Sequence, residues 1–572
     1  MRKLLIYLKP YKILLAAAIL LMTGQAIANL YLPDLNANII NNGVLQGDIS
    51  YIIRMGLFML LIAVLVMGAA VLAFACNARI SAAFGRDIRG SIFRKIASFS
   101  QHDIGLFGTP SLITRSTNDV LQVQQIIQMG LSVMILAPIN FGGGIIMALR
   151  QDVKLSQVLL VTLPVMVIGT YLFLRIAIPL FTVMQQRLDK VNQIAREKLS
   201  GVRVIRAFVK VKYEEKRFAK ASLDWLKTGL SVQYLMALMM PLIVITFQLT
   251  SLAIVWFGSL RIDRGLIPFG NLSAVLMYAM QIMLSITMGT TVFMMLPRAM
   301  ASARRINAVL STDPALKEMQ GPARLPTSAL SLTFENVTFT YPGAKNPVLK
   351  DISFSVLPGQ TVAVIGSTGC GKSTLVNLIP RFYDVTSGRI LLGGLDIRRL
   401  RQEDLHERIG FISQKPLLFS GTVADNIRFG KNDASEEEIW QALRIAQAEG
   451  FVKAKEEGLF SLVSQGGVNF SGGQKQRLCI ARALVRRPDI YIFDDSFSAL
   501  DFKTDAQLRR ALARETGRAI TFIVAQRVGT VMNADLIIVL ENGRITGLGQ
   551  HWELLKNCRS YQELVDSQLM SI

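Results

Sequence analysis

The sequence predicts a multidomain membrane protein, in which a six-transmembrane-helix all-α domain is followed by an α/β domain organised around a glycine-rich loop. The first half of the 572-residue chain contains long uncharged apolar stretches. The second half has the mixed composition of an ordinary water-soluble domain. Hydrophobic residues make up 51% of the chain. That fraction, concentrated in the first half, exceeds what one modest soluble core requires.

Six stretches are long enough to cross a hydrocarbon core as helices, which takes about 20 apolar residues each. They lie at 13–32, 55–76, 129–149, 158–181, 234–260 and 272–296. About fifty residues separate the second from the third and the fourth from the fifth, whereas the other connections are shorter. Both long connections are helix-forming. They predict membrane helices that continue beyond the bilayer as paired extensions, with tips near 105–112 and 209–218.

The basic residues cluster beside the apolar stretches, where the positive-inside rule places them. The formal net charge is +22, yet residues 33–52 contain no Lys or Arg and both long connections are strongly basic. We therefore expect a multi-pass protein of the cell (inner) membrane whose N-terminus, long connections and second half are cytoplasmic. The basic start of the chain is interpreted as part of a retained membrane segment, because no small-residue cleavage site is evident.

Three other features of composition exclude whole classes of protein. No nucleic-acid partner is predicted, because that function needs a basic groove with aromatic residues on a soluble domain. The four cysteines (Cys76, Cys370, Cys479 and Cys558) are scattered without metal-ligand spacing, which indicates a reducing compartment and no structural disulfides. The six apolar stretches contain no Asp, Glu or Lys, so ion-coupled transport has little support.

Two sequence features inside the membrane half admit more than one interpretation. The last two stretches are rich in methionine, which suits a surface that accepts varied apolar ligands, although ordinary helix and lipid packing explains the same pattern. These methionines are Met236, Met239, Met240, Met277, Met280, Met283, Met288, Met294 and Met295. In the third stretch, Pro138 and the three glycines at 142–144 predict either close helix packing or a bend.

A predicted buried strand at 361–365 leads directly into an octapeptide of the pattern G-x-x-x-x-G-K-[ST]. Glycines let the backbone curl so that N–H groups point at phosphate oxygens, and the following helix adds positive charge at its N-terminus. Lys372 can reach terminal phosphates, and the Ser373 hydroxyl can ligate Mg²⁺. The predicted nucleotide-phosphate site comprises Gly366, Ser367, Thr368, Gly369, Cys370, Gly371, Lys372, Ser373 and Thr374.

A second anion site is predicted at a turn that opens an amphipathic helix, formed by Ser471, Gly472, Gly473 and Gln474. Because one phosphate site already exists at Lys372, a second and separate one indicates a nucleotide held between two domains. Downstream, a buried strand ends in Asp494, the expected position of a carboxylate that supports Mg²⁺. Asp495 follows immediately, and a further strand at 520–524 leads to Gln526.

Two residues carry weaker signals when they are taken alone. Tyr341, about 25 residues before the glycine-rich loop, can stack its ring on a purine or simply fill a surface groove as an edge aromatic. Gln414 follows a predicted strand, where its amide can reach Mg²⁺ or the water bound to it, although most glutamines at strand ends are solvated.

Taken in order, these motifs resemble the ATP-binding cassette (ABC) family, and the six-stretch half is similar to the exporter-type half-transporters. The resemblance covers nearly the whole chain, and its most specific element is the Ser471 turn placed between Gln414 and Asp494. It implies an α/β P-loop ATP-binding cassette with ATP and Mg²⁺ as cofactors, and Ser373, Gln414 and Asp494 as the metal-contacting residues. Tyr341 would stack on adenine.

The same resemblance implies roles that cross between two chains or two domains. Gln414 would sense the γ-phosphate and contact the membrane domain, through coupling helices at the two tips. The signature at 471–474 would complete the ATP site of an opposing cassette. The implied partners are a second half-transporter chain, membrane lipids, and a small-molecule, lipid or peptide substrate.

Two positions depart from the family pattern, and both concern catalysis. Asp495 stands where the family usually has a glutamate that polarises the attacking water, and its side chain is shorter by about 1.5 Å. A positioning error near 1 Å can cost on the order of 10²-fold in rate. Gln526 stands where the family usually has histidine, and an amide cannot supply a cationic hydrogen bond. Gln465, where exporters often carry glutamate, is a softer departure.

These departures predict a heterodimer in which this chain holds the degenerate ATP site, with weak hydrolysis of its own, and exports or flips a lipophilic or amphipathic substrate. A homodimeric active exporter, a lipid or peptide translocase, and an ABC-type regulator without transport are the alternatives. The predicted domains are an exporter transmembrane domain at 1–305, a linker at 306–330 and the cassette at 331–572.

Overall fold

The computed structural model describes residues 3–316, 325 and 330–569. Its contacts divide the chain into two units, Met1–Ala97 with Gly108–Thr312, and Ser98–Phe107 with Asp313–Ile572. Of the predicted linker at 306–330, residues up to 311 continue the last helix of the first unit, and 317–324 and 326–329 lie outside the described residues.

The first unit is helical and confirms the prediction of six transmembrane helices, since six of its helical spans are long and apolar enough to cross a membrane. A 3₁₀ turn at Leu4–Tyr11 precedes them. The helices are α1 (Lys12–Ile39), α2 (Ile49–Ala97), α3 (Gln101–Phe107, which groups with the second unit), α4 (Thr109–Ser116), α5 (Asn118–Gln151), α6 (Val153–Ser200), α7 (Val202–Ala207), α8 (Val211–Asp263) and α9 (Phe269–Ser311).

The two tips of the helical extensions are formed by short helices. The first predicted tip, at 105–112, falls where α3 ends and α4 begins. The second lies at 201–210, earlier than the predicted 209–218, because residues from Val211 onward already form the first turns of α8. Val209 adopts a left-handed φ of 53° at this turn, which reverses the chain between the two long helices.

Glycines in the third membrane helix permit the close packing that the sequence suggested. A Cβ atom on Gly143 would lie 2.3 Å from Leu30 Cδ1, and one on Gly144 would lie 2.8 Å from Ile282 Cγ1. Helix α5 therefore packs closely on α1 and α9 at these glycines, and a larger residue there would require the Leu30 or Ile282 side chain to move. Beside this contact the buried Tyr278 hydroxyl donates to the Leu30 carbonyl at 2.9 Å.

Polar side chains tie together the helix ends at the short connections. Asp152 accepts the backbone N–H of Leu155 at the start of α6 and the guanidinium of Arg261 in α8, both at 2.6 Å. Asn41 accepts the N–H of Gly270 at 2.8 Å and donates to Asn271 at 2.9 Å. These bonds satisfy helix-terminal groups that would otherwise face a poorly hydrated environment.

The second unit is α/β and contains two principal sheets. Its strands are β1 (Leu332–Phe339), β2 (Leu349–Val356), β3 (Thr361–Gly366), β4 (Ser387–Leu392), β5 (Leu395–Asp396), β6 (Ile409–Ile412), β7 (Gly421–Thr422), β8 (Leu462–Val463), β9 (Ile490–Asp494), β10 (Ile520–Val524), β11 (Leu536–Glu541) and β12 (Arg544–Gly549). Its helices are α10 (Lys372–Leu378), α11 (Gln402–Glu407), α12 (Val423–Arg428), α13 (Glu436–Ile445), α14 (Glu449–Lys453), α15 (Gly472–Leu484), α16 (Phe502–Glu515), α17 (Val528–Val531), α18 (His551–Asn557) and α19 (Arg559–Leu569).

The strand order of the larger sheet positions the predicted site. Six strands run in the order β12-β11-β3-β10-β9-β6, and those from β11 to β6 are mutually parallel. Parallel strands present their carboxyl ends at one edge of the sheet, which is where ligands bind in open α/β sheets. The segments that follow β3, β10, β9 and β6 therefore meet at that edge. A separate four-stranded antiparallel sheet, in the order β2-β1-β4-β5, packs within the same unit.

An ion pair between a buried carboxylate and a half-exposed guanidinium joins α5 to α9 in the first unit. The Asp119 side chain is fully buried and accepts from Ser302 Oγ at 2.9 Å and from Arg305 Nε at 2.7 Å. Replacing Asp119 with alanine would leave both donors without this acceptor, at a cost of about 2 kcal/mol. We expect Asp119→Ala to lower the apparent unfolding temperature of the detergent-purified chain. Asp189→Ala, which removes an exposed carboxylate bonded to Gln185, is the matched control; equal shifts in the two variants would contradict the expectation.

Candidate functional site

The glycine-rich loop connects β3 to α10 and has the backbone geometry that a phosphate cradle requires. Gly366, Gly369 and Gly371 have φ values of 154°, 83° and 107°, which residues with a Cβ atom rarely adopt. A Cβ on Gly366 would lie 2.1 Å from the Leu540 carbonyl oxygen. The Lys372 ammonium donates to the carbonyls of Gly366 and Ser367, both at 2.8 Å. The cation therefore lies within the curl of the loop.

Of the three residues predicted to contact the metal, Ser373 and Asp494 are joined by a hydrogen bond, whereas the Gln414 amide bonds to Asp495. Ser373 Oγ donates to Asp494 Oδ1 at 2.8 Å, which links the start of α10 to the end of β9. Burial raises the pKa of the Asp494 carboxyl, which is only 6% exposed, although the bond from Ser373 opposes this. A hydroxyl and a carboxylate are hard oxygen donors of the kind that Mg²⁺ prefers. This pair fits a Mg²⁺ ion that takes its remaining ligands from nucleotide phosphates and water.

Asp495 and its two amide partners form the second part of the site. Asp495 Oδ2 accepts from Gln414 Nε2 at 3.2 Å and from Gln526 Nε2 at 3.1 Å. The structure thus brings together three residues from the ends of β6, β9 and β10, in agreement with the sheet order. Asp495 itself has a left-handed φ of 49°, and its N–H donates to the Val524 carbonyl at 3.1 Å. Its backbone is therefore held in a sparsely populated conformation by the neighbouring strand.

The structure also reveals a residue that the sequence analysis missed. Gln568, near the end of α19, donates to the Gln526 carbonyl and accepts from the Val528 N–H, both at 2.8 Å. The Gln568 side chain therefore satisfies one backbone N–H and one backbone carbonyl of the segment that carries Gln526. Nothing in the local sequence marks a glutamine in a C-terminal amphipathic helix for this role, because the contact spans about forty residues.

The signature residues form the N-terminus of α15. Ser471 Oγ accepts the Gln474 N–H at 3.3 Å while Gln474 Oε1 accepts the Ser471 N–H at 3.0 Å, which is a reciprocal capping box. A Cβ on Gly473 would lie 3.2 Å from the Ala499 carbonyl, so this glycine permits a close approach to the turn after β9. Within the described part of the chain, the hydrogen bonds of residues 471–474 do not reach the phosphate loop.

Tyr341 lies beside the phosphate loop, and both its hydroxyl and its ring already contact neighbouring side chains. Its hydroxyl shares a 3.0 Å hydrogen bond with Thr374 Oγ1, and Thr374 is buried in α10. The ring meets Phe339 and Tyr383 edge-on, with centroids 4.8 and 5.3 Å apart. These contacts fix the orientation of the ring next to the loop. Stacking of Tyr341 on adenine stays a prediction.

A unit with six helices long and apolar enough to span a membrane is joined in one chain to a phosphate loop and to the Ser373–Asp494 pair on a parallel sheet. This combination defines a membrane transporter subunit that uses ATP. Two family models agree: the ABC transporter transmembrane region matches residues 15–286, and the ABC transporter model matches residues 349–498. The chain belongs to the ABC transporter family, as an exporter-type half-transporter with an N-terminal transmembrane domain fused to its nucleotide-binding domain.

Relatives and a solved structure match the chain over most of its length. An uncharacterized ABC transporter ATP-binding protein of Mycobacterium tuberculosis is 45% identical over 570 residues, covering 99% of this chain and 97% of that protein. A fatty acid ABC transporter ATP-binding/permease protein of Mycobacterium bovis is 32% identical over 454 residues, covering 79% of this chain and 71% of that protein. The structure of a bacterial Atm1-family ABC exporter with ATP bound has a TM-score of 0.82 at 24% identity and covers 97% of this chain and 98% of its own. At that identity it supports the fold alone.

We expect Gly366→Ala to damage both the loop and nucleotide binding. The added Cβ would collide with the Leu540 carbonyl, and alanine is strained at this φ, so the backbone must shift at a cost of about 1–3 kcal/mol. Equilibrium dialysis with Mg²⁺-ATP should then show affinity reduced by about tenfold or more. Gly450→Ala is the matched control, because it lies in a helix with no atom within 4 Å of the new Cβ. Wild-type affinity in Gly366→Ala would contradict the structural role given to this glycine.

Proposed function

We propose that this chain is the degenerate half of a heterodimeric ABC exporter. Its own phosphate loop mainly holds ATP, and its signature at 471–474 completes the faster ATP site on the partner's phosphate loop. The observation that carries the proposal is the arrangement at Asp495, which shares one carboxylate oxygen between the amides of Gln414 and Gln526. Both unusual residues lie in one hydrogen-bonded group, so their substitutions act on the same catalytic position.

The chemistry expected at this site explains why hydrolysis would be slow. Water must attack the γ-phosphorus while its proton passes to a carboxylate, and ADP then leaves. Lys372 and the loop N–H groups bind phosphate oxygens, and Ser373 with Asp494 would hold Mg²⁺, which neutralises the developing charge. The Asp495 side chain is about 1.5 Å shorter than that of a glutamate, so its carboxylate would lie farther from the attacking water than a glutamate carboxylate would. Gln526 adds a neutral donor in place of a cation.

The capped N-terminus of α15 supports the second half of the proposal. Ser471 and Gln474 satisfy each other, which orders the turn without using the helix's remaining N–H groups. The partial positive charge at such a helix N-terminus attracts the phosphates of a nucleotide bound to another chain. ABC half-transporters commonly dimerise, and a chain that only regulated a partner would have less need of an intact signature.

The proposed substrate is a lipophilic or amphipathic compound. Met277, Met280 and Met288 expose much of their side chains on α9, whereas Met283 is buried in helix packing. Flexible thioethers adapt to apolar ligands of different shapes. The relative from Mycobacterium bovis described as a fatty acid transporter supports an acyl-chain substrate. The charge pattern assigns the basic face of the membrane domain to the cytoplasm. The proposed direction of transport, by export or flipping, is away from that face.

The first experiment measures ATP turnover by the purified chain with and without its partner. We expect the chain alone to turn over slowly, and the double variant Asp495→Glu/Gln526→His to be faster by on the order of tenfold or more, since it restores the reach and the cationic donor. Co-expression of the wild-type chain with its partner should also raise turnover above that of the wild-type chain alone. Robust turnover by the lone chain that Asp495→Asn abolishes would instead establish a homodimeric active exporter.

A second experiment tests the asymmetry between the two ATP sites in the assembled pair. Ser471→Arg in this chain should stop most turnover, because the partner's ATP site would lose its signature, whereas Asp495→Asn should leave most of it. Ser435→Arg is the matched control: Ser435 caps α13 with the same kind of capping box and lies outside the signature. If Asp495→Asn stops turnover while Ser471→Arg leaves it intact, the assignment of the two sites is wrong.

A further inference from the structure

A cleft with a cationic lining lies between α6 and α8, in the part of these helices beyond the predicted membrane core. Its volume is about 280 Å³, and it is lined by Arg187, Lys190, Ile194, Arg217, Lys220, Ala221 and Asp224. Binding pockets for whole drug-sized ligands run from about 300 to 1,000 Å³. The cleft therefore suits a compact group such as the headgroup of a larger molecule.

The charges around the cleft are only partly compensated. Arg217 pairs with Glu197 at 2.8 Å and with Glu214 at 3.4 Å, and Arg187 lies 3.5 Å from Asp224. These are partly exposed pairs, and guanidinium groups keep further N–H donors for a ligand.

Neither lysine of the lining forms a salt bridge with the described residues. Lys190 donates to the neutral Gln193 side chain at 3.3 Å, and its charge, after the stronger effect of the bond from Arg217, helps to lower the pKa of the nearby Glu197 carboxyl. Lys220 has no hydrogen bond or ion pair among residues 3–316 and 330–569. Two ammonium groups are thus available beside two guanidinium forks, a combination that favours a phosphate or carboxylate.

The position of the cleft along the helices points to an amphiphile. Arg187 and Lys190 follow the predicted end of the fourth apolar stretch by about 9 and 14 Å of helix, and Lys220 precedes the predicted start of the fifth by about 21 Å, so the cleft extends from the membrane surface into the cytoplasmic extensions. On α8 the apolar side chains of Leu223, Trp225 and Leu226 remain exposed at the level of the cleft. Exposed aliphatic side chains with a tryptophan are typical of the interface between hydrocarbon and water. Basic residues at that level attract anionic lipids.

We propose that this cleft binds the anionic headgroup of an amphiphile, with Lys190 and Lys220 supplying the charge that its own residues leave unpaired. The acyl chain would extend along the apolar faces of α6 and α8. The headgroup belongs either to an anionic bilayer phospholipid or to the transported compound, which share this chemistry. The second source rests on the proposed exporter function; the binding site itself does not.

The test is equilibrium binding of radiolabelled dihexanoyl phosphatidic acid to the full chain in uncharged detergent, without nucleotide. We expect it to bind more tightly than dihexanoyl phosphatidylcholine and to resist competition by inorganic phosphate at equal concentration. The double variant Lys190→Gln/Lys220→Gln should lower its affinity by about tenfold or more. The matched control is Lys198→Gln/Lys227→Gln, which removes one cation from each of the same helices outside the cleft and should bind as the wild type does.

Three results would overturn the proposal: equal binding of the two lipids, competition by phosphate at equal concentration, or the same loss in both double variants. A second arm separates the two sources by following ATPase activity of the transporter in phosphatidylcholine vesicles. Stimulation that requires phosphatidylglycerol in the bilayer and is lost in Lys190→Gln/Lys220→Gln identifies a bilayer lipid. Stimulation by added soluble octanoate or phosphatidic acid, with the same loss, identifies the transported amphiphile. Because the binding arm uses no ATP, its failure is distinguishable from failure of the exporter proposal.

Discussion

The nucleotide unit depends on one geometric constraint, the side-by-side order of four parallel strands. Parallel pairing brings the carboxyl ends of β3, β10, β9 and β6 to one edge, so residues up to about 160 positions apart in sequence become neighbours. The phosphate loop, the Ser373–Asp494 pair and the Asp495 group all lie at this edge. If the strands were ordered differently, these groups would lie apart, because the segments that carry them are distant from one another in sequence.

The membrane unit satisfies a different constraint, since backbone and side-chain polar groups within a bilayer have few partners. It places bulky apolar side chains along the helices and concentrates its polar ties at their ends. Asp152 with Arg261 and Asn41 with Asn271 join the helices at the short connections, and Asp119 with Arg305 joins α5 to α9 at the opposite end. Between these ties, Gly143 and Gly144 allow close contact, and single hydrogen bonds such as that from Tyr278 to the Leu30 carbonyl also join the helices. Such a bundle is held at its ends by specific polar pairs and in the middle mainly by packing.

The group around Asp495 connects these physical features to function. A carboxylate that is bonded to two amides and held at a left-handed φ is tightly positioned, but it is shorter than the residue that the family uses. The same segment is braced from α19 by Gln568. This arrangement is the basis of our proposal that the site retains nucleotide more than it turns it over, and that the signature at 471–474 serves a partner's site.

The sequence alone determined the six membrane helices, the order of the two domains, the phosphate loop and the residues at the strand ends. These are local properties: hydrophobic length sets a membrane helix, and a motif of eight residues sets the loop. The strands predicted at 361–365, 490–494 and 520–524 match β3, β9 and β10 for the same reason. Only the tertiary structure decided that Asp495 is shared by Gln414 and Gln526, that Tyr341 bonds Thr374, that Gln568 braces the segment of Gln526, and that basic residues of α6 and α8 form a cleft. Each of these depends on contacts between distant segments, whose distances and directions no local pattern encodes.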